Sequence, residues 1–310
     1  MKAVRVLQYG SPDVLQYADV PRPEPGKGQV RVQVKAAGVG PWDALIREGR
    51  SGVAQTLPLT LGSDIAGIVD AVGTDVAVFR VGDEVYGVTN EQFTGGYAEY
   101  ALAAAGMIAP KPKPLSFVEA ASAPVVAVTA WQMLFEYARA VATQKVLVHG
   151  GAGNVGAYAV QLARNAGLEV FATASSKDLE YVRAMGAGTV VDYHRVRFED
   201  VVPPVDVVLD TIGGETQERS FRVLKPTGIL VSSVSSPPTD AAGPKNGAKA
   251  VFFIVDVTTA RLNKIAELFE TGKLVPQVGT VLPLRDARVA HQMLAGAPHA
   301  RGKIVLQVAS

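Results

Sequence analysis

Lys145-Val-Leu-Val-His-Gly-Gly-Ala-Gly-Asn-Val-Gly156 is the stretch that decides how this chain folds. An apolar strand runs into a turn carrying Gly151-x-Gly153-x-x-Gly156, and the alanine-rich, amphipathic segment Asn154–Asn165 follows. The glycines of such a turn have separate tasks: a tight bend, a close backbone approach to a pyrophosphate, and close packing of helix on strand. The helix start then offers unpaired N–H groups and a positive dipole end to the phosphates. The glycine pattern by itself is weak. Set between a strand and a helix, it predicts a dinucleotide-binding turn.

A dinucleotide site of this kind has a second diagnostic about 20 residues past the last glycine, where NAD-binding chains place an acid on the ribose 2′-hydroxyl. This chain has Ala174-Ser175-Ser176-Lys177-Asp178 there. Hydroxyls and a cation at Ser175 and Lys177 suit a 2′-phosphate, which a carboxylate would repel. Asp178 reads as a first-turn helix residue behind an N-cap at Ser175 or Ser176. The expected cofactor is therefore NADPH. Gly213-Gly214 either lets the chain pass close to the nicotinamide ribose or makes a simple turn. Tyr193 lies just past a strand, where sheet ends carry ligands, or is a packed surface aromatic.

Outward from this turn, strands and helices alternate from about Ser116 to Gly272. Strands are expected at Lys145–His149, Glu169–Ala174, Thr189–Asp192, Val205–Asp210, Gly228–Ser232 and Ala250–Val255. Helices are expected at Asn154–Asn165, Lys177–Met185, Thr216–Leu224 and Thr258–Glu270. That rhythm predicts a doubly wound parallel sheet. The chain before it is β-rich and punctuated by glycine, as in a small barrel-like sheet. The tail, with strands at Val275–Leu282 and Lys303–Val308 around a helix at Leu284–Leu294, is too short to fold alone and is expected to rejoin the N-terminal domain. The expected division is 1–122 plus 273–310 for the β-rich domain and 123–272 for the dinucleotide-binding domain. Ser233–Gly247, polar and rich in Pro and Gly, is the candidate mobile loop.

Composition narrows the function. The 310 residues are 48% hydrophobic and 19% charged with a net charge of +1, which gives no electrostatic case for nucleic-acid or membrane partners. The absence of cysteine removes disulfides, thiolate metal ligands and cysteine nucleophiles, and fits a reducing, cytoplasmic location. The N-terminal MKAVRVLQYG lacks an apolar core of the signal-peptide kind. Ala120–Phe135, interrupted by Pro124, reads as a buried helix rather than a membrane span.

Several further stretches, in order, carry a resemblance. They are Gly38-Val-Gly-Pro-Trp-Asp43, Gly62-Ser-Asp-Ile-Ala-Gly-Ile-Val69, Val81-Gly-Asp-Glu-Val-Tyr-Gly87, Gly95-Gly-Tyr-Ala-Glu-Tyr100, Val128-Thr-Ala-Trp131, His149 to Gly156, Ala187 to Tyr193 and Gly302-Lys-Ile-Val305. Through nearly its whole length the chain resembles the medium-chain dehydrogenase/reductase superfamily, in particular its zinc-free quinone oxidoreductase (zeta-crystallin-like) branch. The resemblance implies an α/β fold with a Rossmann doubly wound parallel sheet inserted into a GroES-like β-rich catalytic domain. It also implies an active site in an interdomain cleft and a homodimer joined through the Rossmann sheets. Zinc-dependent relatives carry cysteines and a His–Glu pair at the metal; here that pair corresponds to Ser63-Asp64, so no metal site is expected. Gly40 stands where the quinone branch often has Asn.

From the resemblance, Gly151, Gly153, Asn154, Val155 and Gly156 would contact the pyrophosphate, and Ser175, Lys177 and Tyr193 the 2′-phosphate. Thr129 and Lys303 would face the nicotinamide, where Gly213 joins them if its turn passes close to the ribose. Tyr97, Thr129 and Asp43 are the candidate catalytic residues, although Tyr97 equally suits packing within its strand and Asp43 equally suits capping a helix that begins at Ala44. Trp42, Phe93 and Phe252 are candidates for the substrate wall; Trp42 and Phe252 equally suit a core. Three functions follow: an NADPH-dependent quinone or enone reductase, an enoyl-thioester reductase whose CoA phosphates would draw on Lys245, Lys249 and Arg261, or a non-enzymatic NADPH-binding structural or nucleic-acid-associated protein. The first reading is adopted, because the cofactor brings the hydride and a conjugated acceptor needs no metal.

Overall fold

The computed structural model describes residues 1–237 and 247–308. Most of the segment read as a mobile loop, and Lys245 within it, lie outside the described residues. The chain forms two compact units, Met1–Val125 with Val257–Ser310, and Val126–Asp256. In chain order the strands are β1 Lys2–Val6, β2 Leu15–Asp19, β3 Gln29–Val39, β4 Leu59–Thr60, β5 Asp64–Val72, β6 Glu84–Val88, β7 Tyr100–Ala104, β8 Ile108–Pro110, β9 Lys145–Val148, β10 Glu169–Ala174, β11 Thr189–Asp192, β12 Val205–Asp210, β13 Leu224–Ser232, β14 Lys249–Phe252, β15 Val278–Pro283 and β16 Lys303–Gln307. The α-helices are α1 Pro41–Arg47, α2 Phe117–Ala121, α3 Pro124–Trp131, α4 Asn154–Asn165, α5 Leu179–Met185, α6 Gly214–Ser220, α7 Thr259–Glu270 and α8 Ala287–Leu294.

The second unit is the doubly wound sheet. Its strand order is β11-β10-β9-β12-β13-β14, with every pairing parallel. Val146, Leu147 and Val148 are fully buried, as expected of a central strand covered on both faces. The chain leaves β9 toward β10 and β11, then returns to start β12 on the other side, so the strand order reverses between β9 and β12. Such reversals open a crevice at the carboxyl ends of the strands. In α4 every residue from Gly156 to Ala163 is buried. The small side chains of Ala157, Ala159 and Ala163 let this helix close onto the sheet.

Several local expectations shift. Ala120–Phe135 is not one helix. Ser116 and Glu119 box the start of α2. Pro124 opens α3 at a position where its missing N–H costs nothing, and Gln132–Tyr137 then widens into a π-helix. The Gln132 Oε1 accepts from the Asp256 amide at 3.0 Å. The segment expected as a helix over Thr216–Leu224 ends at Ser220, and Leu224 already starts β13. Lys177–Met185 begins with a 3-10 turn, Ser176–Asp178, before α5.

The first unit is built on β3. This strand pairs antiparallel with β5, β7 and the C-terminal β16. Gly67 faces Val34 in that register, and a Cβ on it would lie 2.1 Å from the Gln33 carbonyl oxygen. The hairpin β1–β2 forms a separate three-stranded sheet with β4. Arg47 of α1 and His291 of α8 are both buried, with Arg47 Nη1 2.9 Å from His291 Nδ1. An arginine can only donate, so Nδ1 accepts and the imidazole stays neutral. Burial, and then the charge of Arg47, hold its pKa down to about 3. No helix among the described residues is long and apolar enough to cross a membrane.

The helix α7 is fastened to the strands of its unit by one side chain of its own and one of β6. Thr259 Oγ1 donates to the Ile108 carbonyl at 2.6 Å, and the fully buried Tyr86 hydroxyl donates to the Leu262 carbonyl at 2.7 Å. Removing the hydroxyl leaves a desolvated carbonyl with one partner fewer. Tyr86→Phe is expected to lower unfolding free energy by about 1–2 kcal/mol in urea denaturation. Amide exchange should quicken most in Thr259–Glu270; an unchanged denaturation midpoint would show that this bond contributes nothing.

Candidate functional site

The Gly-rich turn lies at the carboxyl edge of the parallel sheet. Gly150 takes φ +70°, and Gly153, the N-cap of α4, has extended backbone. The three motif glycines prove unequal. A Cβ on Gly156 would lie 2.1 Å from the Gly150 carbonyl oxygen, and one on Gly151 would lie 3.0 Å from Ala172 Cβ and Val182 Cγ1. A Cβ on Gly153 would meet only the Gly150 oxygen, at 3.2 Å. Gly156 is thus required by the packing of α4 on the turn, whereas Gly153 leaves room above the helix N-terminus. Asn154 and Val155 form the first turn of α4 beside it.

Behind the turn stands His149, which is fully buried. Its Nε2 is 2.9 Å from Ser220 Oγ, and its Nδ1 is 3.2 Å from Thr173 Oγ1. Ser220 already donates to Thr216 O and Thr173 Oγ1 already accepts from the Gly150 amide. The proton therefore sits on Nε2, and Thr173 donates to Nδ1. Burial pushes the imidazole down to about 4, so it stays neutral. His149 ties the turn to β10 and α6. Sequence spacing alone gives no sign of these bonds.

At the end of β10, Ser175 Oγ donates to Asp178 Oδ2 at 2.5 Å rather than capping the helix. Ser176 Oγ donates to Asp192 Oδ2 at 2.5 Å and holds that carboxyl below its ordinary range. Lys177 is exposed on the same turn, and Tyr193, 55% exposed, packs its ring on His194. A cavity of about 520 Å³ opens beside Gly150, Thr173, Tyr193, Arg195, Ile212 and Arg219. Arg219 of this lining donates to Glu199 through two bonds of 2.8 and 2.6 Å, which bring the Glu199 carboxyl down to about 2. Gly213 and Gly214 both have positive φ, at +77° and +56°. The buried Asp210 shapes that turn by accepting from the Ile212 and Gly213 amides, Gln217 Nε2 and Ser232 Oγ.

The other expected residues divide. Trp42, Asp43, Tyr97 and Lys303 come together in the first unit. Gly40, not Asp43, caps α1; Pro41 opens it, and Asp43 Oδ2 reaches back to accept from the Gly40 amide at 2.8 Å. The Tyr97 hydroxyl donates to the same oxygen at 2.8 Å. Both residues are fully buried, and Asp43 Oδ1 has no hydrogen-bond partner. Burial pushes the Asp43 carboxyl up to about 7 and, with Asp43 beside it, the Tyr97 phenol well above its usual value. Lys303 Nζ lies 2.9 Å from Asp64 Oδ2, an ion pair in which neither group is more than 1% exposed. Burial raises the Asp64 carboxyl against the lowering pull of Lys303. Phe93 stands apart on a turn with φ +59°, packed against the first unit's core. Thr129 is buried on α3, and Phe252, 38% exposed, ends the edge strand β14.

This corner does not fit a zinc ion. Asp64 already carries an ammonium, Ser63 Oγ accepts from Trp42 Nε1 at 3.1 Å, and the chain has no cysteine. No group of three possible ligands among His, Cys, Asp and Glu occurs among the described residues.

Two expectations test these geometries. Gly156→Ala should cost at least about 3 kcal/mol or prevent folding, because backbone blocks the new carbon. Gly153→Ala should fold with a nearly unchanged denaturation midpoint and lose cofactor affinity instead. Equal midpoints for the two variants would refute the packing assigned to Gly156.

The second concerns pH. Between its unfolded value near 4 and its folded value of about 7, Asp43 holds a proton only in the native state. This term therefore makes stability rise as pH falls. His149 and His291 act oppositely, since unfolding frees each to take a proton below its usual value. Asp43→Asn removes only the first term. Its stability should fall more steeply with acid than wild type, by about 1.4 kcal/mol per pH unit between pH 4.5 and 6. Parallel urea-stability profiles would contradict the protonated state of Asp43.

Comparison with known proteins finds the same two-part architecture. Residues 26–113 match the alcohol dehydrogenase GroES-like domain, and residues 185–306 match a family described as zinc-binding dehydrogenase. The chain is 33% identical to mouse quinone oxidoreductase over 99% of its own length and 97% of that protein. It is also 33% identical to a tomato 2-methylene-furan-3-one reductase, covering 99% of this chain and 79% of that one. The solved structure of quinone oxidoreductase from Coxiella burnetii superimposes with a TM-score of 0.91 at 34% identity, over 100% of this chain and 99% of the other. A crystal structure described as an NAD-dependent alcohol dehydrogenase does so with a TM-score of 0.91 at 34% identity, over the whole of both chains. The parallel sheet is thus a nicotinamide-cofactor-binding Rossmann fold and the β-rich unit is GroES-like. The chain belongs to the quinone oxidoreductase family of the medium-chain dehydrogenase/reductase superfamily and is an oxidoreductase.

Proposed function

We propose that this enzyme reduces quinones or conjugated enones by hydride transfer from NADPH, without a metal. The observation that carries the reading is the Lys303–Asp64 pair, 2.9 Å apart and buried, in the corner where zinc relatives hold the metal. Oxidising an alcohol requires loss of its hydroxyl proton, which zinc promotes. Reducing a conjugated acceptor instead spreads the developing negative charge over the acceptor itself.

When bound, the nicotinamide supplies the hydride. The backbone of Gly151, Gly153, Asn154, Val155 and Gly156 would hold the pyrophosphate at the start of α4. Ser175, Lys177 and Tyr193 would take the 2′-phosphate. Asp178 and Asp192 lie against Ser175 and Ser176, so the phosphate would need the charge of Lys177, with Arg195 close by. Gly213, Thr129 and Lys303 are assigned to the nicotinamide side, Lys303 acting through its charge because its ammonium is buried. Asp43 and Tyr97 act as positioning residues: buried and bonded to each other, they fix the start of α1. Phe93 and Phe252 are assigned to the apolar wall. Among the described residues β14 ends the sheet and pairs only with β13, and we propose that it pairs with a second copy in a homodimer.

The fold is shared with a structure named for NAD dependence, so the choice of cofactor rests on the Ser175–Asp178 turn. NADPH should bind about tenfold or more tightly than NADH in a fluorescence titration. Ser175→Asp, adding a carboxylate beside Asp178, should weaken NADPH by at least about tenfold and NADH little. NADPH oxidation with a simple quinone and a simple enone should proceed equally with and without a strong chelator. Tighter binding of NADH, or activity lost to the chelator, would overturn the reading.

A further inference from the structure

Trp42 occupies an unusual seat. Its indole lies flat over the backbone of Gly40, where a Cβ would fall 2.3 Å from Cη2 and 2.4 Å from Cζ2 and Cζ3 of the ring. Nε1 donates to Ser63 Oγ at 3.1 Å, which pins the ring in its plane. Lys303 Nζ stands 4.2 Å from the ring centroid, so the buried ammonium is roofed by the indole. Ser63-Asp64 corresponds to the His–Glu pair that holds the metal in zinc-dependent relatives, and Gly40 stands where the quinone branch often has Asn. Here an aromatic ring fills the same corner. The ring is only half-buried, and its neighbours Pro41 and Leu45 are exposed.

We propose that Trp42 is a specificity-determining residue: its indole seals the corner over Lys303 and Asp64 and gives a planar, uncharged ring acceptor an aromatic surface to stack against. The assignment rests on the quinone reductase reading and narrows it to ring acceptors. A stacked aromatic pair prefers offset contact and gains beyond area alone. An acyclic enone presents too little flat surface to share that gain. The cation behind the indole is held from water, so any substitution that shrinks the ring uncovers both a hole and a charge.

Two measurements test this. The chain has two tryptophans, so Trp131→Phe leaves Trp42 as the only indole emitter. In that background, titration with 9,10-phenanthrenequinone should quench the emission saturably. In wild-type Trp131, kcat/KM for 9,10-phenanthrenequinone should fall about tenfold or more in Trp42→Ala. That for pent-3-en-2-one should stay within about threefold. Trp42→Phe, which keeps a flat ring and opens a smaller hole than Trp42→Ala, should restore most of the quinone activity. Turnover of 9,10-phenanthrenequinone without quenching, or equal loss for both acceptors in Trp42→Ala with no rescue in Trp42→Phe, would overturn the proposal. Saturable quenching with no turnover of any acceptor would instead overturn the quinone reductase reading and leave the stacking surface standing.

Discussion

The buried pair of Lys303 and Asp64 is the constraint around which the first unit is arranged. Taking two charges out of water costs several kcal/mol per ion, and removing one partner alone typically costs about 3–5 kcal/mol. The pair therefore dictates its neighbours. Beside it Gly38 has no room for a side chain: a Cβ there would lie 2.4 Å from the Ala121 carbonyl oxygen, 2.9 Å from Asp64 Cβ and 3.0 Å from Lys303 Cε. The second Asp64 oxygen accepts from the Val125 amide at 3.0 Å. Trp42 closes the remaining side. Since β16 carries Lys303 and β5 carries Asp64, both next to β3, the ion pair and the sheet register enforce each other.

The parallel sheet solves a different problem with different means. Among the described residues, backbone closeness and the neutral hydrogen bonds of His149 hold the phosphate turn, rather than a buried ion pair. His149 illustrates the logic. A charged imidazole there would face the desolvation that already holds it down to about 4. As a neutral donor and acceptor it joins Ser220 to Thr173 without adding charge near the pyrophosphate seat. Asp210 works differently at the Gly213-Gly214 turn, where its carboxylate accepts from the Ile212 and Gly213 amides and from the Gln217 and Ser232 side chains.

The sheet was legible in the sequence because its signals are local. The Gly-rich turn, the apolar run Lys145–Val148 and the alanine-rich α4 each state their structure within a few residues. Ser175 and Lys177 were readable as a turn at a strand end, but not the bonds of Ser175 to Asp178 and of Ser176 to Asp192. The β-rich unit was less legible. Asp43 pairs with Tyr97 and Lys303 with Asp64 across long stretches of chain, and no spacing rule foretells such meetings. Asp43 shows the limit well: its helix-start character was visible, yet it serves Gly40 from the third helical position. The helix break at Gln132 was hidden for a related reason, since the amide that its side chain satisfies belongs to Asp256.

The charge count in the corner carries the chemistry one step further. Lys303 contributes one positive charge and Asp64 one negative charge. Asp43, with its carboxyl near 7, holds a proton for much of the time around neutrality. The buried set is then close to neutral, which is the state a low-dielectric interior tolerates. A divalent cation beside Asp64 would face the Lys303 ammonium and would need a second full anion for compensation, which Asp43 supplies only by losing its proton. The same electrostatics that stabilise this corner thus oppose a metal in it. They leave an aromatic ring over a neutralised pair, and the proposed stacking of a ring acceptor depends on that arrangement.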